Sequence, residues 1–344
     1  MSSSAQHPLS SKPCVQSVTP GFAQWLYKEQ LTLFVSTYQH DCLILLSAEG
    51  SEEVKLSAYP FDRPMGLAVS QTELRLATRQ HIWEFQNTTS ILTSGEGVEN
   101  SIYQLKTVTP TGFLDAHDLV SGRHGESILV DTHHSCLRRV TSDKGPEPIW
   151  SPAFITDLVP EDRCHLNGLA SENGTPRFAT VVSQSNDAEG WRRERREGGA
   201  LIDIETNEIV AKNLSMPHSP RIHRDQIWIL NAGTGEFGFI EPSDGTFQAI
   251  AFCPGFLRGL AFHNEFAIIG LSQARHNRKF TDLELADTLD HRNEEAICGL
   301  MVINIETHEV WGTLEFSEPI TELFDIQAQT SIGHPTLLKC RQLE

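Results

Sequence analysis

Cysteine is scarce in this sequence, and its few cysteines stand far apart. Seven occur among 344 residues, and no two of them form a CxxC pair. A disulfide framework or a structural zinc site needs closer and more regular spacing. We therefore expect reduced, mostly buried thiols and a cytoplasmic protein. The cysteines are Cys14, Cys42, Cys136, Cys164, Cys253, Cys298 and Cys340.

Long apolar runs and a basic leader are also missing. No stretch approaches the ~18 uncharged apolar residues that a membrane helix needs. The first 20 residues lack both the basic start and the apolar centre of a secretory signal. We expect no membrane partner, and we expect residues 1–12 to form a disordered tail ahead of a single domain at 13–344.

Positive charge is in short supply. Lys and Arg number 27 against 45 Asp and Glu, which gives a formal net charge of −18. A field of this sign repels nucleic acid and anionic membranes, so neither is an expected partner. Hydrophobic residues still make up 39 % of the chain, which is enough for a large packed core and too much for a disordered protein.

The sequence does contain a weak internal repeat. A short apolar stretch led by a small or polar residue recurs, and its copies begin at residues 21, 66, 117, 168, 219, 259 and 322. Shorter runs rich in Val, Ile, Phe and Trp follow within a copy, separated by turn sequences such as Pro242–Gly245. Four antiparallel strands in a repeat of this length predict a β-propeller.

The predicted fold is therefore all-β, with one propeller domain. Seven copies favour seven blades, and a count of six stays open because the first and last copies are poorly formed. The last copy holds only about two strands, so we expect the N-terminal run Cys14–Val18 to add an outer strand that closes the last blade. A two-sheet β-sandwich is the alternative.

Three histidines, His117, His165 and His218, recur close to the repeat period. They lie 48 and 53 residues apart, each in a loop leading into a predicted innermost strand. Such loops meet over the central channel of a propeller, so we expect equivalent positions and neighbouring imidazoles. Imidazoles are common metal ligands. The pattern predicts one divalent metal ion, Fe, Cu, Zn or Mn, with an open coordination position.

Other ligand sets stay open. Oxygen atoms of Asp118, Asn167, Asn231 and Glu322 would form a calcium site, leaving the histidines for acid–base chemistry. A polar site without metal and purely structural histidines are the remaining alternatives. The Gly-rich loop after Asn231 does not open a helix, so no nucleotide cofactor is expected.

Carboxylates and arginines complete the candidate site. The candidate catalytic residues are Asp118, Glu322 and Glu236, which would orient the metal shell or lie at its rim. Arg221 and Arg258 would hold an anionic substrate by paired hydrogen bonds, unless neighbouring carboxylates neutralise them.

Two polar amides and two insertions belong to the same face. Asn167 and Asn231 are further candidate substrate-binding residues. Insertions at 183–199 and 273–295 follow the second strand of their copies, so both should overhang the site. We expect them to act as lids or as contacts of a homo-oligomer.

Five sequence strings resemble those of a bacterial family of uncharacterised conserved proteins, a domain of unknown function. The resemblance covers roughly residues 110–330 and implies no established activity. More loosely, the architecture is similar to gluconolactonase and strictosidine-synthase propellers, which implies a divalent ion held by Asn, Asp and Glu. The His-rich channel is similar to the carotenoid oxygenases, which implies iron held by histidines. The strings are HDLVSG (117–122), EDRCHLNGLA (161–170), SMPHSPR (215–221), LNAGTGE (230–236) and PGFLRGLAF (254–262).

The function that these features favour is a metal-dependent enzyme acting on a small anionic molecule at the central channel. Oxidation, lyase or isomerase chemistry and hydrolysis are not distinguished. The alternative is a non-catalytic propeller that binds a peptide or protein on the same face, because one fold hosts both kinds of function.

Overall fold

Six blades form a closed ring in the computed structural model. It describes residues 14–90, 100–141, 143–273, 280, 282–331 and 333–339, so the predicted tail at 1–12 lies outside the described residues. The innermost strands of successive blades contact one another all the way round, and the last contacts the first. The all-β propeller prediction is confirmed, whereas the preferred count of seven blades is wrong.

The strands of the first three blades run from the channel outward in the order given. Blade 1 consists of β25 (Ile326–Thr330), β2 (Leu31–Thr37), β3 (Cys42–Ala48) and β4 (Val54–Pro60). Blade 2 consists of β5 (Leu67–Val69), β6 (Glu73–Ala77), β7 (His81–Ser90), β8 (Asn100–Pro110) and β26 (Thr336–Leu338). Blade 3 consists of β9 (Ala116–Ser121), β10 (Ser127–Asp131), β11 (Cys136–Val140) and β12 (Glu147–Trp150).

The other three blades follow the same order. Blade 4 consists of β13 (Leu166–Glu172), β14 (Thr175–Val181), β15 (Gly199–Asp203) and β16 (Ile209–Leu214). Blade 5 consists of β17 (Pro217–His223), β18 (Gln226–Asn231), β19 (Glu236–Ile240) and β20 (Phe247–Phe252). Blade 6 consists of β21 (Phe256–His263), β22 (Phe266–Ser272), β23 (Gly299–Asn304), β24 (Val310–Phe316) and β1 (Val15–Val18).

The first sequence copy is a helix instead of a strand, which is one reason for the lower count. Helix α1 covers Pro20–Lys28, with the proline in its first turn, where its missing N–H is not needed. Phe22, Trp25 and Leu26 share one helical face, and all three are buried between blades 6 and 1. A propeller strand would have sent alternate residues of this run to opposite faces.

The last sequence copy is shared between two blades, which is the other reason. β25 pairs antiparallel with β2 as the innermost strand of blade 1, and β26 pairs parallel with β8 at the outer edge of blade 2. The predicted N-terminal strand does join the outer edge of the last blade, where β1 pairs antiparallel with β24. The chain ends therefore add outer strands to blades 6 and 2, and β25 closes the ring by supplying the innermost strand of blade 1.

Hydrophobic residues fill the space between neighbouring blades. Six buried clusters lie at the six interfaces, and α1 extends the one between blades 6 and 1. Five of the six described cysteines are buried, and none of the six is in a disulfide. Among the described residues no helix is long and apolar enough to cross a membrane.

Two further helical segments lie in the insertions. A 3₁₀ helix covers Gly190–Arg193, and helix α2 covers Glu284–Arg292. Arg195 and Arg196 of the first insertion form ion pairs with Asp282 and Asp287 of the second, both at 3.6 Å. The described parts of the insertions therefore contact each other beside the channel.

Candidate functional site

The six loops that lead into the innermost strands build the channel in three layers. The pairing between the innermost and second strands shows which positions of different blades are equivalent. Ala116, Leu166 and Leu257 are equivalent, because each pairs with a residue near the end of the second strand of its own blade. The residue after each of these lies in the middle layer. Counted this way, the middle layer consists of Met65, His117, Asn167, His218, Arg258 and Phe324.

A small cavity lies on the channel axis at the middle layer. Its volume is about 10 Å³, close to what one ordered water occupies. Five middle-layer residues line it, together with Asp118, Gly168, Ser219 and Asp325 below them. Of the predicted site residues, the structure thus brings together His117, Asp118, Asn167, His218 and Arg258.

His165 does not occupy the position that its spacing predicted. The blade 4 equivalent of His117 and His218 is Asn167, because Leu166 pairs with Val181. His165 lies two residues earlier, in an upper layer at the channel mouth. Its ring is nevertheless close to that of His117, with centroids 4.8 Å apart and the planes at 81°. The upper layer consists of Arg63, Asp115, His165, Met216, Phe256 and Glu322.

Left-handed backbone in the upper layer orients two imidazoles below it. Asp115 and Met216 have φ values of 50° and 48°. Their carbonyl oxygens accept hydrogen bonds from Nδ1 of His117 and of His218, both at 2.8 Å. A carbonyl oxygen can only accept, so we assign the proton to Nδ1 and a lone pair to Nε2.

Burial keeps these two imidazoles neutral. It lowers the pKa of His117 to about 4, against an opposing contribution from Asp115. Burial also lowers the pKa of His218 well below its usual value, and the positive charge of Arg258 acts in the same direction. His218 is 4 % exposed, and its Nε2 has no hydrogen-bond partner in the described part of the chain.

His165 has a different partner on its ring. Its Nδ1 lies 2.9 and 3.1 Å from the two carboxylate oxygens of Asp162. The indole N–H of Trp191 donates to the same carboxylate at 2.9 Å, and the indole stacks on the His165 ring at 4.2 Å. A carboxylate and an aromatic plane therefore fix the orientation of this imidazole.

Arg258 is a cation enclosed by aromatic rings. Its guanidinium carbon lies 4.9 Å from the ring centroid of Phe324, 5.7 Å from that of Phe256 and 5.8 Å from that of Tyr38. Burial lowers the pKa of Arg258, although Glu322 and Asp115 oppose that effect. An arginine stays charged at neutral pH even so. In the described residues its guanidinium forms no hydrogen bond, and no carboxylate lies within 4.0 Å.

The rim carries further charged and polar groups. The phenol of Tyr38 donates a hydrogen bond to Glu322, and Arg63 pairs with Asp115 at 2.7 Å. Glu322, a predicted catalytic residue, thus lies at the mouth with Arg258 below it.

Arg221 and Asp118 belong to the layer beneath the cavity, where they hold blades together. Arg221 donates to Asp118 at 2.9 Å and to Asp325 at 3.3 Å, and also to three backbone carbonyls. Burial opposes its charge, but Asp118 and Asp325 outweigh this and raise the pKa of Arg221. The structure therefore engages both predicted site residues in a buried ion-pair network.

Glycines alternate with polar residues around this lower layer. Asp118, Ser219 and Asp325 each accept a backbone N–H of the next blade, at 2.9, 3.1 and 2.8 Å. In the blades between them stand Gly66, Gly168 and Gly259. A Cβ at Gly66 or Gly259 would approach the neighbouring backbone to 2.9 or 2.8 Å, so these glycines allow the close contact.

Asn231 and Glu236 are not brought to the cavity. The Asn231 side chain accepts the backbone N–H of Ser215 at 2.7 Å, and Glu236 accepts the Thr234 hydroxyl at 3.0 Å. Both stabilise their own loop, which the backbone N–H of Leu285 contacts from α2.

The fit of a metal ion depends on whether three ligands converge. Anchored Nδ1 atoms and the unpaired Nε2 of His218 suit metal ligation chemically. However, no group of three His, Cys, Asp or Glu side chains among the described residues is placed to hold an ion. We therefore derive no chemistry through a metal.

Sequence reasoning missed four residues that shape the site. Asp162 and Trp191 fix His165, while Tyr38 and Phe324 enclose Arg258. Phe324 occupies a repeat position and Asp162 lies three residues before a candidate histidine, so both could have been found. The other two come from loops outside the repeat.

The family of the chain follows from comparison with known proteins. Residues 20–338 match the family described as "Domain of unknown function (DUF4915)". The chain belongs to this family. The predicted resemblance to an uncharacterised family is confirmed, and no curated protein matches the DUF4915 chain.

Comparison with solved structures finds matches to this DUF4915 protein at low sequence identity. The nidogen/laminin complex matches with 12 % identity, 90 % of this chain, 100 % of that chain and a TM-score of 0.55. A streptogramin B lyase matches with 13 % identity, 83 % and 78 % coverage and a TM-score of 0.42. The virginiamycin B lyase from Staphylococcus aureus matches with 12 % identity, 83 % and 91 % coverage and a TM-score of 0.42. The first likeness concerns the fold alone, and the two lyase matches carry no functional argument.

Proposed function

We propose that the channel mouth binds a small organic anion on Arg258 and that His165 transfers a proton at the bound molecule. The observation that carries the proposal is the guanidinium of Arg258, enclosed by three aromatic rings with no carboxylate within 4.0 Å in the described residues. A desolvated cation of this kind binds an oxyanion through paired, charge-assisted hydrogen bonds.

The charges around Arg258 favour a single negative charge on the ligand. Glu322 and Asp115 act on Arg258 electrostatically, and Arg63 is already paired with Asp115. Among the described residues, a phosphate dianion would meet these carboxylates with one unpaired cation, Arg258, to balance it. A carboxylate carries one charge and matches the guanidinium in shape, so it is the favoured anion.

The His165–Asp162 pair supports the proton-transfer step. Asp162 accepts a hydrogen bond from Nδ1–H of His165, and the stacked indole of Trp191 fixes the ring plane. Nε2 is then the ring nitrogen of His165 that carries a lone pair. It would accept a proton from the group next to the carboxylate of the bound molecule. Such an enzyme exchanges substrate protons with solvent, and His165→Gln should abolish deuterium incorporation from D₂O.

Calorimetric titration with small carboxylates tests the anion site. We expect acetate and propionate to bind the wild-type protein and to bind Arg258→Met at least tenfold more weakly. Arg224→Met is the matched control, because Arg224 forms an exposed ion pair with Glu306 away from the channel. Equal affinities in wild type and Arg258→Met would overturn the proposal.

The divalent metal predicted at His117, His165 and His218 is a second proposal that rests on their spacing in the sequence. One buried, unpaired Nε2, that of His218, suits it, whereas the three histidines form no ligand group among the described residues. Elemental analysis of the purified protein tests it. Near-stoichiometric metal that is lost in a folded His165→Ala variant would support it. Absence of metal, with melting unchanged by chelator or added divalent ions, would contradict it.

Location and partners remain proposals as well. A cytoplasmic bacterial protein agrees with the absence of disulfides among the described cysteines. The paired insertions offer a surface for a homo-oligomer. A scaffold that binds a peptide on this face is the competing function. Capture of the protein by immobilised peptides, together with no binding of small carboxylates, would favour it.

A further inference from the structure

A buried ring nitrogen in the cavity lacks a partner. His218 is 4 % exposed and lines the axial cavity, and its Nε2 makes no hydrogen bond in the described residues. A buried polar atom left without a partner costs roughly 1–3 kcal/mol. The atom therefore points to a ligand group that completes it.

That ligand group must be a hydrogen-bond donor. Nδ1–H of His218 donates a hydrogen bond to the carbonyl oxygen of Met216, so Nε2 carries a lone pair. His117 is arranged in the same way against the carbonyl of Asp115 and lines the same cavity. The cavity thus offers acceptors on its imidazole side and the donors of Arg258 on another.

Size and charge identify the donor. The free space of about 10 Å³ is what one water-sized group occupies, so the donor at Nε2 is a small group at the end of the ligand. An ammonium group would be repelled by the adjacent guanidinium of Arg258, whose charge also acts on His218. A hydroxyl group is small and uncharged, and it donates one hydrogen bond.

We propose that the ligand is a hydroxy acid: its carboxylate binds Arg258, and a hydroxyl group close to that carboxylate donates to Nε2 of His218. The inference rests on the anion site proposed above and adds the hydroxyl requirement. A site built around a hydroxyl rejects the analogue that lacks it, because its own polar atom is then left unpaired.

Matched pairs of ligands test the hydroxyl requirement. Glycolate is compared with acetate, and lactate with propionate, by calorimetric titration of the full chain. We expect the hydroxy acid of each pair to bind at least tenfold more tightly. Equal binding within each pair would overturn this inference while leaving the anion site intact. No binding by any of the four would overturn both.

Two variants locate the effect at one nitrogen. His218→Asn places an amide near the position of Nδ1 and has no atom at the position of Nε2. The ratio of the affinities for the hydroxy acid and for its analogue should therefore fall to about one. His218→Gln places a polar atom near Nε2 and should restore part of it. His223→Asn is the control on the same strand, because His223 contacts Asn264 and Phe262 outside the cavity. A preference that survives in His218→Asn would overturn the assignment.

Discussion

Single residues in this propeller divide into those that face the cavity and those that fasten it together. Arg258 and Arg221 illustrate the division, since both were predicted to bind substrate. One is enclosed by rings without an ion-pair partner in the described residues, and the other is saturated by two carboxylates and three carbonyls. Composition and spacing predict the same role for both arginines. Only the register of their loops shows that Arg258 faces the cavity and that Arg221 lies beneath it.

Removal of Arg221 should destabilise the fold. Arg221→Met leaves Asp118 and Asp325 buried without their shared cation, and breaking such an arrangement costs ~3–5 kcal/mol. Urea denaturation measures the loss in free energy of unfolding. Arg224→Met, which removes an exposed pair, should change it by less than ~1 kcal/mol. Equal effects would contradict a structural role for Arg221.

The half-buried imidazole of His334 should make stability depend on pH. It lies between the hydroxyls of Ser47 and Ser57, both at 2.7 Å. Burial, helped by Lys55 and opposed by Glu49, lowers its pKa to about 4 from 6.5. As the pH falls, His334 therefore binds a proton in the unfolded chain before it does so in the folded one. Its contribution to the free energy of unfolding is fully present above about pH 6.5 and decreases toward pH 4.

The measurement is a difference between variants. The free energy of unfolding should drop less between pH 7.5 and pH 5 in His334→Gln than in the wild type. The exposed His124→Gln serves for comparison and should follow the wild type. An identical drop in all three proteins would exclude His334 as the source.

At the scale of elements, α1 shows how an amphipathic run can be assigned to the wrong structure. Its apolar residues look like another innermost strand, but they share a helical face that seals the gap between blades 6 and 1. Five of the other copies form the innermost strands of blades 2 to 6, because short runs of Val, Ile, Phe and Leu with regular turns form strands in register, while the last copy supplies β25 to blade 1.

Two aromatic residues of α1 give a matched test of this role. Trp25 is 2 % exposed and Tyr27 is 54 % exposed. Trp25→Ala should lower the free energy of unfolding by ~3–5 kcal/mol, because it opens a cavity against Phe266. Tyr27→Ala should change it by no more than ~0.5 kcal/mol. Comparable losses would mean that the helix does not plug the interface through its buried face.

The site illustrates the same limit of prediction. The repeat period located His117, His218 and Arg258 on one layer, but a difference of two residues placed His165 in the layer above. Left-handed conformations at Asp115 and Met216 turn the carbonyls toward the imidazoles, and no glycine marks either position in the sequence. Trp191 lies in an insertion outside the repeat, so the repeat period does not predict that it reaches the site.

The whole molecule depends on closure by both chain ends. β25 completes blade 1 from the far end of the chain, while β26 only adds an outer edge to blade 2. A chain ending at Thr330 should therefore keep one cooperative thermal transition. A chain ending at Leu323 should lose it, together with its near-ultraviolet circular dichroism, because blade 1 then lacks its innermost strand. A cooperative transition in the shorter chain would show that the ring tolerates an open blade.

Closure of blade 1 by β25 also means that the cavity is assembled late during synthesis. Phe324 and Asp325 line the cavity, and the ribosome adds them after every other residue that lines it. A nascent chain that stops short of these two residues carries His117, His218 and Arg258 but has no wall on one side of the cavity. The cavity can therefore form only after translation has passed residue 325.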